Sequence, residues 1–202
     1  MKKYQIVIGL IISLVIISCD TSTNPAENLQ IFPLKVGNIW IYQNYSVFNE
    51  DSLTKKGLDT IRVMKDTIIS NYKFYYVNYF GGVYDFGYNQ DSLFAFVDPT
   101  NQYLKPSPIY AFPCSVGDIY FSDLGLCRVE NTDTMIRITS GNYHCIKYKF
   151  YHRNELGEGP NNYHYCSPGI GLVKIERYHN SYSNLDKFVK TGEMELINFK
   201  VK

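Results

Sequence analysis

The stretch Tyr143-His144-Cys145-Ile146-Lys147-Tyr148-Lys149-Phe150-Tyr151-His152 decides the fold class. Within it Ile146, Tyr148 and Phe150 alternate with Cys145, Lys147 and Lys149. Only an extended chain, whose side chains point to opposite faces in turn, sorts that pattern into one apolar and one polar face. The first set is expected to face a core and the second to face water or a sheet edge. The same period returns near the C-terminal end, where Ile197, Phe199 and Val201 alternate with Asn198, Lys200 and Lys202.

Outward from that stretch, helical periodicity is nearly absent. β-branched and aromatic runs recur at Ile39 to Val47, Thr60 to Ile69, Tyr72 to Phe80, Leu93 to Val97, Leu126 to Val129 and Met135 to Thr139. They continue at Asn162 to Tyr165, Leu172 to Tyr178 and Phe188 to Val201. Turn residues separate them: Gly81-Gly82 stands between two aromatic runs, and Asn131-Thr132-Asp133 and Ser140-Gly141-Asn142 follow further on. Short connections join antiparallel neighbours, so the expectation is an all-β, single antiparallel meander domain, a strongly curved sheet or an open barrel. The 19 Tyr and 12 Phe of the 202 residues agree with that, because aromatic side chains suit pleated, half-buried surfaces. A formal net charge of +1 without any basic stripe argues against a nucleic-acid partner.

The N-terminus follows different rules. Lys2 and Lys3 precede an apolar run from Ile6 to Ile17, the charged and apolar regions of a secretory signal. Asp20 to Asn24 follow too soon for a span that needs about 20 apolar residues. Ile16-Ile17-Ser18-Cys19 resembles the lipobox of bacterial lipoproteins, which implies cleavage between Ser18 and Cys19 and lipid on the new N-terminal Cys19. The expected organisation is a signal peptide over residues 1–18, a lipidated tether over 19–30 and a β domain over 31–202. Acyl chains add about 0.8 kcal/mol per buried methylene, enough to hold the protein at a membrane without a spanning helix. The expected location is the bacterial envelope, the outer membrane before the inner.

Three further stretches carry a second resemblance. Pro33-Leu34-Lys35-Val36-Gly37-Asn38-Ile39-Trp40-Ile41-Tyr42, Gly141-Asn142-Tyr143-His144-Cys145 and Gly169-Ile170-Gly171-Leu172-Val173-Lys174 are similar to motifs of a loose family of uncharacterised secreted bacterial proteins, many of them lipoproteins. The resemblance implies an antiparallel β-sheet and assigns no reaction. Physically, the lone Trp40 is expected to bury against the sheet. Gly169 and Gly171 are expected to allow a bulge or close backbone approach where a strand begins.

Chemistry-bearing residues are few. Cys114, Cys127, Cys145 and Cys166, an even count in an exported chain, suggest disulfides, with Cys114 to Cys127 and Cys145 to Cys166 as the expected pairs. The first would add about 3 kcal/mol by the chain-entropy account. His164 and Cys166 would share a strand face, whereas His144 and Cys145 would not, and C-x-x-C spacing is lacking, so no metal site and no cofactor is expected. Neither a G-x-S-x-G elbow nor an H-E-x-x-H helix occurs, so no catalytic residue is assigned and an enzyme is not expected. Asp118, Asp123, Glu155 and Glu158 sit in loop-like segments and leave a glycoside hydrolase as one alternative. Tyr75, Tyr79, Tyr84 and Tyr88 around Gly81-Gly82 offer an aromatic surface for a glycan, an apolar ligand or an envelope protein. The main expectation is a non-enzymatic binding or structural component; a carrier with an apolar ligand inside the curved sheet is the other alternative.

Overall fold

Antiparallel pairing accounts for every ladder in the structure, a computed structural model that describes residues 29–47, 52–69, 72–89, 92–96, 107–122, 124–151, 162–181 and 184–202. The signal segment, Cys19, most of the tether, Asp123, Glu155 and Glu158 lie outside the described residues. The strands are β1 (Ile39–Val47), β2 (Leu53–Ile69), β3 (Tyr72–Tyr79), β4 (Gly82–Asn89), β5 (Ser92–Phe96) and β6 (Ser107–Tyr110). Then come β7 (Ile119–Ser122), β8 (Gly125–Ile138), β9 (Gly141–Tyr151), β10 (Asn162–Ser167), β11 (Gly171–Ser181) and β12 (Asn184–Lys200).

Their order across the sheet is β6-β5-β4-β3-β2-β1-β12-β11-β10-β9-β8-β7. Two meanders, β1 to β6 and β7 to β12, are thus sewn together by the pairing of the first strand with the last. The twelve-stranded sheet curls until its two edges, β6 and β7, approach, giving a nearly closed barrel without helices among the described residues. Side chains rather than a ladder bridge the seam. The Tyr120 hydroxyl of β7 donates to Ile109 O and accepts from Ala111 N, each at 3.2 Å. The Tyr148 hydroxyl donates to Ala111 O at 2.8 Å.

Local chemistry explains the connections. Tyr79 pairs with Gly82, so the β3–β4 loop is the two-residue turn Phe80-Gly81, with φ of 50° and 85°. Two positive φ values in succession match the right-handed twist of the flanking strands. The expected turn at Asn131-Thr132-Asp133 is instead a bulged stretch inside β8. Asn131 Oδ1 accepts from Asp133 N at 2.8 Å, a local turn contact that the long pairing with β9 carries along.

The barrel interior is packed with large side chains: Trp40, Tyr42, Tyr110, Tyr148 and Phe150 are at most 1% exposed. Burying each such ring removes enough apolar area for about 1.5–3 kcal/mol. Ile146, Tyr148 and Phe150 lie in this core as their alternation requires. One end of the barrel is closed by Ile31, Phe32 and Leu34, which precede β1. Phe32 and Trp40 rings lie 4.4 Å apart, and Trp40 Nε1 donates to Ile170 O at 2.6 Å. The glycines near this plug do what the sequence suggested. A Cβ on Gly171, whose φ is 106°, would stand 2.8 Å from the Phe32 ring.

The disulfides are not formed: Cys114, Cys127, Cys145 and Cys166 are free thiols. Cys166 pairs with Ile146 and faces the barrel core, while Cys145, one residue along β9, faces outward against Tyr143, Tyr165 and Val173. Adjacent residues of a strand point to opposite faces, so the sheet itself separates these two sulfurs. Cys114 turns to the Tyr148 hydroxyl at 3.9 Å, and Cys127 hydrogen-bonds Tyr120. Burial pushes the Cys127 and Cys145 thiols up to about 12, which keeps them protonated and inert.

Candidate functional site

Tyr75, Tyr79, Tyr84 and Tyr88 share one face of the β3–β4 hairpin, and that face is the concave one. Tyr79 pairs across to Ile61, Tyr84 to Val77 and Tyr75 to Phe86, all lining the interior. Tyr88 is occupied with the plug: its hydroxyl accepts from Leu34 N at 3.0 Å and donates to Phe32 O. Tyr75 and Tyr79 pack against the core. Tyr84 alone of the four is open to solvent, 48% exposed, with its ring stacked at 6.1 Å on Phe86 and edge-on to Tyr79 at 6.0 Å. The four therefore form a wall whose outer end is Tyr84.

The opposite, convex face carries a denser constellation. Two cross-strand rows run over β9 to β1: Lys147, Tyr165, Lys174, Glu195 and Gln43 in one, and Lys149, Tyr163, Glu176, Glu193 and Tyr45 in the next. Lys174 Nζ lies 3.0 Å from both Glu193 and Glu195 and 3.7 Å from Glu176. Lys190 Nζ lies 3.1 Å from Glu176 and 2.5 Å from Glu193. The Tyr165 hydroxyl donates to Glu176 at 2.9 Å, and Lys147 sits 4.0 Å from the centre of the Tyr163 ring.

These charges are sparingly hydrated for a convex sheet face: the Glu193 side chain is 4% exposed, Glu195 14% and Lys174 15%. Burial alone would raise the Glu176 carboxyl, but Lys190, Tyr165 and Lys174 outweigh it and hold it below the usual range. Burial likewise works against the Lys174 ammonium, and Glu195 and Glu193 overcome it, raising its affinity for the proton. Glu176 and Glu193 stand directly opposite each other, an arrangement of like charges that destabilises a sheet unless cations are interposed. Sequence reasoning missed this cluster, although Lys174 with Glu176 and Glu193 with Glu195 are charges at the strand period.

A second polar group lies inside. His164 Nδ1 and the Tyr110 hydroxyl are 2.7 Å apart, the imidazole ring packs 4.6 Å from Phe150, and Tyr110 also hydrogen-bonds Tyr79. Burial, with Arg177 adding to it, depresses His164 to about 3. His164 and Cys166 do share this face, as their spacing implies. Of the loop carboxylates, Asp118 accepts from Ser115 N at 2.7 Å within its own turn. His144 meets Asp133 at 2.6 Å on the exposed β8–β9 hairpin. Among the described residues, no three His, Cys, Asp or Glu side chains converge as metal ligands would.

No protein-family model matches the chain, and no curated protein matches it. Among solved structures, a protein of Bacteroides fragilis described as exported and as having a YmcC-like fold is similar, with a TM-score of 0.54 at 13% identity over 86% of this chain and 100% of that one. A Parabacteroides distasonis protein described as a lipoprotein gives 0.48 at 15% identity, covering 85% and 99%. A LolA superfamily protein of Nitrosomonas europaea gives 0.24 at 8% identity, covering 85% and 89%. The likeness to the Bacteroides fragilis protein shows a shared fold.

Proposed function

We propose that the chain is an exported lipoprotein of the bacterial envelope, held at a membrane by lipid on Cys19, and that it acts there as a non-enzymatic binding component. The lipobox Ile16-Ile17-Ser18-Cys19 supports the anchor, and the description of the similar Bacteroides fragilis protein as exported agrees with it. The observation that carries the binding role is the convex-face cluster. Three carboxylates and two lysines are drawn together where little water reaches them, and desolvating that many charges costs more than a simple outer sheet face requires.

A polyhydroxylated ligand, a glycan of the envelope, fits this chemistry. Fixed carboxylate oxygens accept from sugar hydroxyls, the lysines donate, and the half-buried Tyr163 and Tyr178, edge to face at 5.6 Å, supply apolar contact. Envelope oligosaccharides titrated against the protein test the reading. Glu176→Gln with Tyr178→Ala is expected to weaken binding at least about tenfold, a loss of about 1.4 kcal/mol, with the melting temperature checked in parallel. Equal affinity in the folded variant, or new reducing ends appearing on incubation, would contradict the proposal.

A further inference from the structure

The end of the barrel away from the plug differs from it in kind. On the concave face of β11, Arg177 stands between the convex-facing Glu176 and Tyr178, and pairs across to Gly192 of β12. Gly192 has no side chain to fill the position: a Cβ there would lie 2.9 Å from Tyr45 O and 4.0 Å from Arg177 Nη1, so the guanidinium lies above the glycine. Among the described residues no carboxylate lies within ion-pair distance of Arg177, although four other lysines and arginines are so paired. The Asp59 carboxylate accepts from Asn44 Nδ2 at 2.6 Å instead.

The aromatic wall opens to solvent at Tyr84, which leads inward to Tyr79 and Phe86, whose rings lie 5.5 Å apart. Arg177 pairs across to Asn162 of β10, two positions from His164 on the same concave face, and His164 bonds Tyr110, which in turn hydrogen-bonds Tyr79, so a short chain of contacts leads from the Arg177 strand to the inner end of that wall.

We propose that this mouth is a binding site for an anionic amphiphile, its carboxylate or phosphate head on Arg177 and its apolar body along Tyr84 and Tyr79. A guanidinium presents a planar fork to two oxygens of such a head, and its weak hydration favours pairing at a half-covered site. The site is independent of the convex-face cluster, which lies on the other side of the same strands.

Calorimetric titration of the full chain carrying Cys19→Ala, so that no attached acyl chain competes, tests the proposal with five probes: octanoate, octyl phosphate, octanol, methyl phosphate and inorganic phosphate. Octanoate or octyl phosphate binds more tightly than octanol by at least about tenfold, and Arg177→Gln abolishes that difference while leaving octanol unchanged. Arg177→Lys keeps the charge without the fork and retains part of it. Tyr84→Ala, at an exposed position, weakens octyl phosphate but not a methyl phosphate comparison. Inorganic phosphate binding as well as octyl phosphate would reduce the site to a free-anion site and overturn the amphiphile; equal binding by wild type and Arg177→Gln would overturn the role of the head group.

Discussion

His164 shows how a single buried residue couples this fold to pH. Its imidazole is neutral, bonded to Tyr110 and enclosed by Phe150, and its affinity for the proton falls to about 3 from an ordinary 6.5. The unfolded chain binds that proton first as the solution is acidified, so the stability His164 contributes is complete above pH 6.5 and drains away between 6.5 and 3. Each unit of the depression corresponds to about 1.4 kcal/mol. His164→Gln keeps a hydrogen-bonding partner for Tyr110 and cannot titrate. Its melting temperature is expected to fall less steeply than the wild type's across that window, with Glu176 contributing equally to both; parallel curves would contradict the account.

Residue chemistry was only partly legible in the sequence. Trp40, Gly169 and Gly171 announced themselves through side-chain size and backbone freedom, both of which are local properties. Cysteine pairing is not local. An even count and an exported chain pointed to bridges, but the parity of β9 and β10 sends Cys145 outward and Cys166 inward, and parity between strands depends on register. The tyrosines of β3 and β4 fell on one face as alternation required. Which face was dry depended on the direction in which the sheet curls, and that is fixed by all twelve strands together.

At the scale of elements, the weak place is the seam between β6 and β7. Both are four-residue strands, and β6 contains Pro108, so neither stood out among the apolar runs. Edge strands are managed by shortness and by covering contacts, and here the cover is a tyrosine. Replacing Tyr120 with Phe removes the hydroxyl that joins Ile109 O to Ala111 N while keeping the ring in place. The expected cost is about 1–2 kcal/mol, with hydrogen exchange quickened in β6 and β7 and unchanged in β1 and β12, which have a ladder on both sides. Uniform quickening across the sheet would mean that the seam is not a separate unit. The long strands were the legible ones: β1 spans Ile39–Val47 as its alternation shows, and β9 follows the Tyr143 to His152 stretch closely. The division of β8 at Asn131 failed because a bulge and a turn use the same residues, and only the β9 partner distinguishes them.

For the whole molecule, sequence and structure divide the labour. Alternation and turn residues indicate an antiparallel, curled sheet, and the coordinates add the joining of first strand to last, which no local pattern encodes. The result is a barrel sealed at one end by the segment Ile31, Phe32 and Leu34 ahead of β1, with charged groups gathered on its convex face and, among the described residues, no carboxylate paired with Arg177 on its concave side. That asymmetry suits a protein held from its N-terminal side. The anchor is the premise on which its place in the envelope rests, and it is read from four residues. Growth of an expressing bacterium on labelled palmitate, followed by fractionation, tests it most directly. The account predicts label on the wild-type chain in the membrane fraction and none on Cys19→Ala; equal labelling of both chains, or an unlabelled wild type, would contradict it.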